Sequence, residues 1–186
     1  MKPRRGPRQA TPDYLRKAAL FYLERYASSV ANLRRLLMAK VARSATAHGT
    51  DPAAGAATVE ALLAELVRGG LLDDARYAEG RAVALTRRGA SIRAIRGRLA
   101  SKGVAAAHID RALAQVRDEM AEPDLAAALT FARRRRLGPY RSAANRVEHR
   151  ERDLAALGRQ GFPYEVARRV IEADDAAALE EELGGR

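Results

Sequence analysis

The stretch "LASKGVAAAHIDRAL", Leu99–Leu113, has a near copy in "LGRQGFPYEVARRVI", Leu157–Ile171. Both read Leu, three residues, Gly, an apolar residue and then an apolar stripe. The stripe is Ile109, Ala112 and Leu113 in one, and Ala167, Val170 and Ile171 in the other. That spacing is helical. Gly103 and Gly161 supply the left-handed turn that ends one helix, and Val104 or Phe162 staples the turn to the core. A weaker copy, "SSVANLRRLLMAKV" at residues 28–41, matches "GASIRAIRGRLASKG" at residues 89–103 in its cap and Leu spacing. It carries Val41 where the glycine would stand.

Helical periodicity continues outward in both directions. Thr11-Pro12 opens a stripe of Leu15, Ala18, Tyr22 and Tyr26, and Ser29 caps one of Val30, Leu33, Leu37 and Val41. Residues 44–57, "SATAHGTDPAAGAA", lack periodicity and read as a loop before a helix starting at Thr58. Further helices end at Gly69-Gly70 and Gly89, start at the Ser91 cap, and open at Pro123, Ser142 and Pro163. No segment alternates with period two, so the fold is expected to be all-α. Nine helices in three groups of three predict three tandem three-helix repeats. They would form an elongated, curved array, right- or left-handed. The boundaries are a disordered basic arm at 1–12, repeats at 13–72, 73–121 and 122–175, and an acidic tail at 176–186.

Composition agrees. The 186 residues are 47% hydrophobic, mostly Ala and Leu, with 5% aromatic residues and no Trp, which favours helix-on-helix packing. The net charge is +11, and only Lys2, Lys17, Lys40 and Lys102 among 34 basic residues are Lys. Arginine binds phosphates bidentately, so a polyanion is the expected partner, nucleic acid first. Absent cysteines exclude disulfides, thiolate metal sites and Cys nucleophiles. No apolar run reaches the ~20 residues of a membrane span, and the N-terminus lacks a signal-peptide core. A cytoplasmic monomer with no membrane association is expected.

"GLLDDARYAE", residues 70–79, poses the question of chemistry, because two carboxylates stand beside an Arg and a Tyr. Asp73 sits where an N-cap belongs, able to accept from Ala75 or Arg76 N–H. Asp74 falls in the first turn, where negative charge suits the helix dipole. Leu72 and Tyr77 have the spacing of a hydrophobic staple. A catalytic or metal role would need a second cluster, and His48, His108 and His149 are isolated. With no Gly-rich phosphate loop and no Gly-x-Ser-x-Gly element, neither enzyme, cofactor nor metal is expected.

The basic residues are the candidate binding site. Arg87 and Arg88 end one helix; on the next, Arg93 and Arg96 project away from the Ile92/Ile95/Leu99 stripe, and Arg98 and Lys102 flank it. Gly97, mid-helix, costs ~1 kcal/mol relative to Ala, which a close backbone would offset, the protein's own or a partner's. In "FARRRRLG" the four arginines step 100° apart. Arg136 falls on the apolar stripe and must snorkel, whereas Arg133, Arg134 and Arg135 are free to contact phosphate or an acidic partner, or to stabilise the helix C-terminus. The acidic tail reads as a solvated helix end, or as a competitor for the basic surface.

Taken in order, a two-helix opening, "GLLDDARYA", a helix ending in Gly89, "IRGRLASKGV" and a closing "LGRQGF" resemble the bacterial RecX family. The likeness spans Tyr14 to Ile171, and its most specific parts are Leu72–Ala78 (with Asp73, Asp74, Arg76 and Tyr77), Leu99–Val104 with Gly103, and Gly161-Phe162. It implies tandem three-helix repeats and binding to the RecA–DNA filament, damping ATP hydrolysis and strand exchange in recombination, DNA repair and the SOS response. Single- and double-stranded DNA would be bound weakly and without sequence specificity. Departures are the 44–57 loop, Val41, Gln160 where a basic residue is common, and the acidic tail. The rival reading is a helix-turn-helix transcriptional regulator. Against it, a recognition helix needs polar or Arg side chains in its first turns to reach base edges. The helix after Gly103 begins "VAAAHID", with an acid where phosphate or base contact would be wanted, and the one after Gly161 begins "FPYEV".

Overall fold

A computed structural model describes residues 6–184. The described residues hold helices and no strands. In chain order they are α1 (Pro12–Leu23), α2 (Val30–His48), α3 (Pro52–Arg68), α4 (Asp74–Arg87), α5 (Ile92–Ser101) and α6 (Ala106–Glu119). Then come α7 (Pro123–Arg135), a 3-10 turn at Gly138–Tyr140, α8 (Ala143–Arg159), α9 (Tyr164–Ile171) and α10 (Ala176–Gly184). That is one α-helix more than the nine expected, because the acidic tail is itself helical.

The chain forms two compact units. The first runs to Tyr77 and includes Lys102–Val104; the second comprises Ala78–Ser101 and the chain from Ala105 onward. In the first, α1, α2 and α3 close over Leu15, Leu33, Leu37, Val41, Val59, Leu63 and Leu66. In the second, α7, α8 and α9 bury Leu125, Leu129, Leu157, Val170 and a tilted Phe131–Phe162 pair with ring centroids 6.2 Å apart. Leu179 and Leu183 of α10 pack on this core.

The loop expected over 44–57 does not exist. Helix α2 continues to His48, turns at Gly49, and α3 starts at Pro52 rather than Thr58. Three local devices explain the difference. Gly49 adopts a left-handed cap (φ 62°), Asp51 accepts from Ala53 and Ala54 N–H at 2.9 and 3.2 Å, and Pro52 takes the first helical position. The Ala-rich sequence supplies helix propensity where it supplies no periodicity. Val41 does not replace a turn glycine but packs inside α2 against Gly55, where an added Cβ would come within 2.5 Å of Val41 Cγ1.

Residues 1–5 of the expected disordered arm lie outside the described residues. Residues 6–11 are drawn against α2: Ala10 N–H donates to the buried Ser44 hydroxyl at 2.9 Å, and His48 Nε2 to the Pro7 carbonyl at 2.8 Å. Pro12 already belongs to α1.

The same hydrogen-bond arrangement occurs in each unit. In the first, the Ser29 hydroxyl caps Asn32 N–H at 3.1 Å and donates to the Lys102 carbonyl at 2.5 Å, while Asp74 accepts from Val30 N–H at 2.8 Å. In the second, the Ser91 hydroxyl caps Ala94 N–H at 3.1 Å and donates to the Gln160 carbonyl at 2.7 Å, while Asp124 accepts from Ile92 N–H at 2.8 Å. The glycine after each accepting carbonyl has positive φ, 74° at Gly103 and 84° at Gly161. Its missing Cβ makes room for the serine's own helix: a Cβ would meet Ala31 Cβ at 2.4 Å in one case and Ser91 Oγ at 3.1 Å in the other.

Candidate nucleic-acid interface

Asp73 accepts from Ala75 and Arg76 N–H at 2.9 and 3.0 Å, as a helix cap should. Asp74 does more than favour the dipole of α4, since its carboxylate caps the start of α2, 44 residues earlier. Leu72 is buried in the first unit's core. Among the described residues no group of three or more His, Cys, Asp or Glu could hold a metal, and no helix is long and apolar enough to cross a membrane.

The predicted basic residues divide by partner. Arg96 is bound to Asp110 at 2.6 Å, and Arg133 lies 3.7 Å from Glu180 of the acidic tail. The tail is therefore not simply solvated. Besides its two leucines, Glu180 accepts from Tyr140 Oη at 2.9 Å and Glu182 lies 3.3 Å from Arg169. Burial, with the Glu180 contact adding to it, pushes the Tyr140 phenol up to about 12. Lys102 belongs to the first unit, where its ammonium donates to Asn32 Oδ1 at 3.2 Å. Arg134 donates to the Arg88 carbonyl at 3.2 Å and lies 5.7 Å from the Phe131 ring centre. Arg136 does not snorkel: it leaves the helix as a left-handed cap with φ 55° and is exposed.

Gly97 is exposed, and a Cβ there would meet nothing within 4 Å. Among the described residues, no backbone of the protein itself approaches Gly97 closely.

Arg87, Arg88, Arg93, Arg98 and Arg135 are exposed and carry no ion pair among the described residues. Arg135 joins two arginines that sequence reasoning passed over, Arg152 and Arg159 of α8. All three line a groove of about 290 Å³ floored by Phe131, Leu137 and Ala156. Their spacing along α8 is seven residues, two helical turns, which puts both on one face. That periodicity was the available signal; the contribution of Arg135 from α7 was not visible in it.

The single carboxylate in the groove is already neutralised. Asp153 accepts from Arg141 Nε and a second guanidinium nitrogen, both at 2.7 Å, and from Gly138 N–H at 2.9 Å. Burial pushes its carboxyl up, but Arg141 and Gly138 outweigh burial and hold it below the ordinary carboxylate range. The groove thus presents three uncompensated guanidiniums over an apolar floor. Gln160, at its edge, is in the turn against which Arg93 packs, 3.3 Å from a Cβ built on Gly161. Such a constellation suits phosphate groups, bound bidentately and without base reading.

A family model described as "RecX, second three-helix domain" matches residues 73–113. The chain is 45% identical over 179 residues to "Regulatory protein RecX" of Myxococcus xanthus (strain DK1622), covering 94% of this chain and 95% of the relative. It is 35% identical over 109 residues to "Regulatory protein RecX" of Agrobacterium fabrum (strain C58 / ATCC 33970), covering 56% of each. No solved structure matches it significantly.

Proposed function

The chain belongs to the RecX family of regulatory proteins, and from that premise we propose that it modulates the RecA recombinase without being an enzyme. It binds the RecA–DNA filament in the cytoplasm, as a monomer without cofactor or metal, and damps ATP hydrolysis and strand exchange in recombination and the SOS response. The observation that carries this reading is the groove in which Arg135, Arg152 and Arg159 have no ion pair among the described residues, in a chain of net charge +11.

In this proposal Arg87, Arg88, Arg93, Arg98, Arg134 and Arg135, with Arg152 and Arg159, face phosphate or acidic filament surface. Arg96, Arg133 and Lys102 contribute less, being held by Asp110, Glu180 and Asn32. The architecture proposed beneath it is three three-helix repeats at 13–72, 73–121 and 122–175. The matching Ser29–Asp74–Lys102 and Ser91–Asp124–Gln160 arrangements support equivalent joints between successive repeats.

Titration of the protein into a RecA, single-stranded DNA and ATP reaction tests the proposal. Falling ATPase and strand-exchange rates at or below equimolar protein are expected. A titration that leaves both unchanged would falsify it.

A further inference from the structure

The first unit is distinguished by its apolar exposure. Six of the eight large hydrophobic side chains exposed among the described residues belong to it: Leu20, Phe21, Tyr26, Leu36, Val67 and Leu71. Phe21 (60% exposed) and Leu36 (36%) edge a groove of about 510 Å³ between α1 and α2. The groove floor is Leu33 and Leu37, each 1% exposed. On α1 the wall is formed by Tyr14, Ala18 and Phe21, spaced one and then two helical turns along the axis. On α2 the lining runs from Leu33 to Arg43, about 15 Å of helix.

Four cations rim this trough: Arg8, Lys17, Lys40 and Arg43, and no carboxylate lines it. Lys40 donates to Tyr14 Oη at 3.3 Å and Arg43 to the Ala39 carbonyl at 3.0 Å. None of the four has an ion pair among the described residues. Elsewhere these two helices do pair their charges, Arg16 with Glu65 at 2.5 Å and Arg34 with Glu60 at 2.6 Å. The four groove cations are thus left uncompensated, whereas Arg16 and Arg34 outside the groove are paired.

We propose that the α1/α2 groove docks an amphipathic helix of a partner protein, with leucine-like side chains on its buried stripe and carboxylates on both flanks. The apolar floor fixes the first requirement and the cationic rim the second. Single-stranded nucleic acid fits less well, because it needs open aromatic faces for stacking. Here the Arg25 guanidinium covers a face of Phe21 at 3.7 Å, and the Lys40 ammonium stands 5.3 Å from the Tyr14 ring centre. The Tyr22 ring is paired with Tyr26 at 5.2 Å between centres, and the floor is aliphatic. The chain's own acidic helix α10 is not the occupant, since Leu179 and Leu183 are engaged on the core of the second unit.

The test uses the full chain and a fluorescein-labelled synthetic peptide of roughly five helical turns, made of Glu, Ala and one Leu stripe. Fluorescence anisotropy should show saturable binding. The paired variants Phe21→Ala/Leu36→Ala and Lys17→Glu/Arg43→Glu should each weaken it about tenfold or more, with unchanged helical circular dichroism. A peptide with Ala in place of its Leu stripe should lose binding to the same extent, and oligothymidylate should not displace the parent peptide. The proposal is overturned if no peptide binds, if the Ala peptide binds as well as the Leu peptide, or if the variants bind like the parent protein. Displacement by oligothymidylate together with loss of its binding in Phe21→Ala/Leu36→Ala would make the groove a nucleic-acid site instead. Neither RecA nor a RecA reaction enters the assay, so its result is separate from that of the filament proposal.

Discussion

The Ser91 hydroxyl donates to the Gln160 carbonyl at 2.7 Å, 69 residues further along the chain, while accepting from Ala94 N–H at 3.1 Å. One fully buried oxygen thus caps α5 and holds the turn before α9. Ser29 does the same for Lys102 and Asn32 in the first unit. Ser91→Ala removes the cap and strands a carbonyl, so a loss of about 2 kcal/mol is expected in urea unfolding, and Ser29→Ala should cost a similar amount. A midpoint unchanged in both variants would show that these hydroxyls do not hold the turns.

Asp153 and Asp124 should respond to pH with opposite sign. Asp153 is held below its ordinary range, so its contribution is full above the unfolded carboxylate value and is lost as pH falls through its lower folded value. Asp124 is pushed up by burial, against the Ile92 N–H that lowers it, so between its unfolded and folded values acidification favours the folded state. Arg141→Ala leaves Asp153 buried without its cation and should cost about 3 kcal/mol at neutral pH, with the loss shrinking in acid. Asp124→Asn should cost far less than Asp124→Ala, because the amide still accepts from Ile92. Chemical denaturation from pH 7 down to about pH 3 measures both.

Gly97→Ala should stabilise the protein by about 1 kcal/mol, because the site is helical and a methyl group meets nothing. The thermal midpoint reads this directly. If the same variant binds the filament more weakly while melting higher, α5 lies against the partner at Gly97.

DNA binding should weaken with salt, and each of Arg135→Gln, Arg152→Gln and Arg159→Gln should lower the slope of log K against log salt by about 0.7–0.9. Affinity should fall equally for unrelated DNA sequences. Glu180→Gln releases Arg133 and should raise affinity by about 1.5- to 5-fold. Isotherms on two duplexes at two salt concentrations decide all of these.

Much of the helical content was legible in the sequence, because a helix and its ends are local chemistry. Ser29, Asp73 and Ser91 cap N–H groups two or three residues away, and turn glycines follow at Gly89, Gly103 and Gly161. The 44–57 region lacks the apolar periodicity that marks a helix, yet it is helical on both sides of Gly49–Asp51. Its helices are specified instead by Ala propensity and by the Gly49-Thr50-Asp51-Pro52 stop and start.

What the sequence alone determined, then, is the helices, their caps and the family motif around Leu72–Tyr77. Only the tertiary structure decided which charges remain available. Arg96 and Arg93 look alike on α5, yet one meets Asp110 and the other no carboxylate among the described residues. Arg152 and Arg159 become a site through Arg135, and Asp74 finds its main partner at Val30. A cap reaches about one helical turn, so its residues are neighbours in the chain. An ion pair or groove is made by side chains that packing brings together across tens of residues, and no local pattern records them.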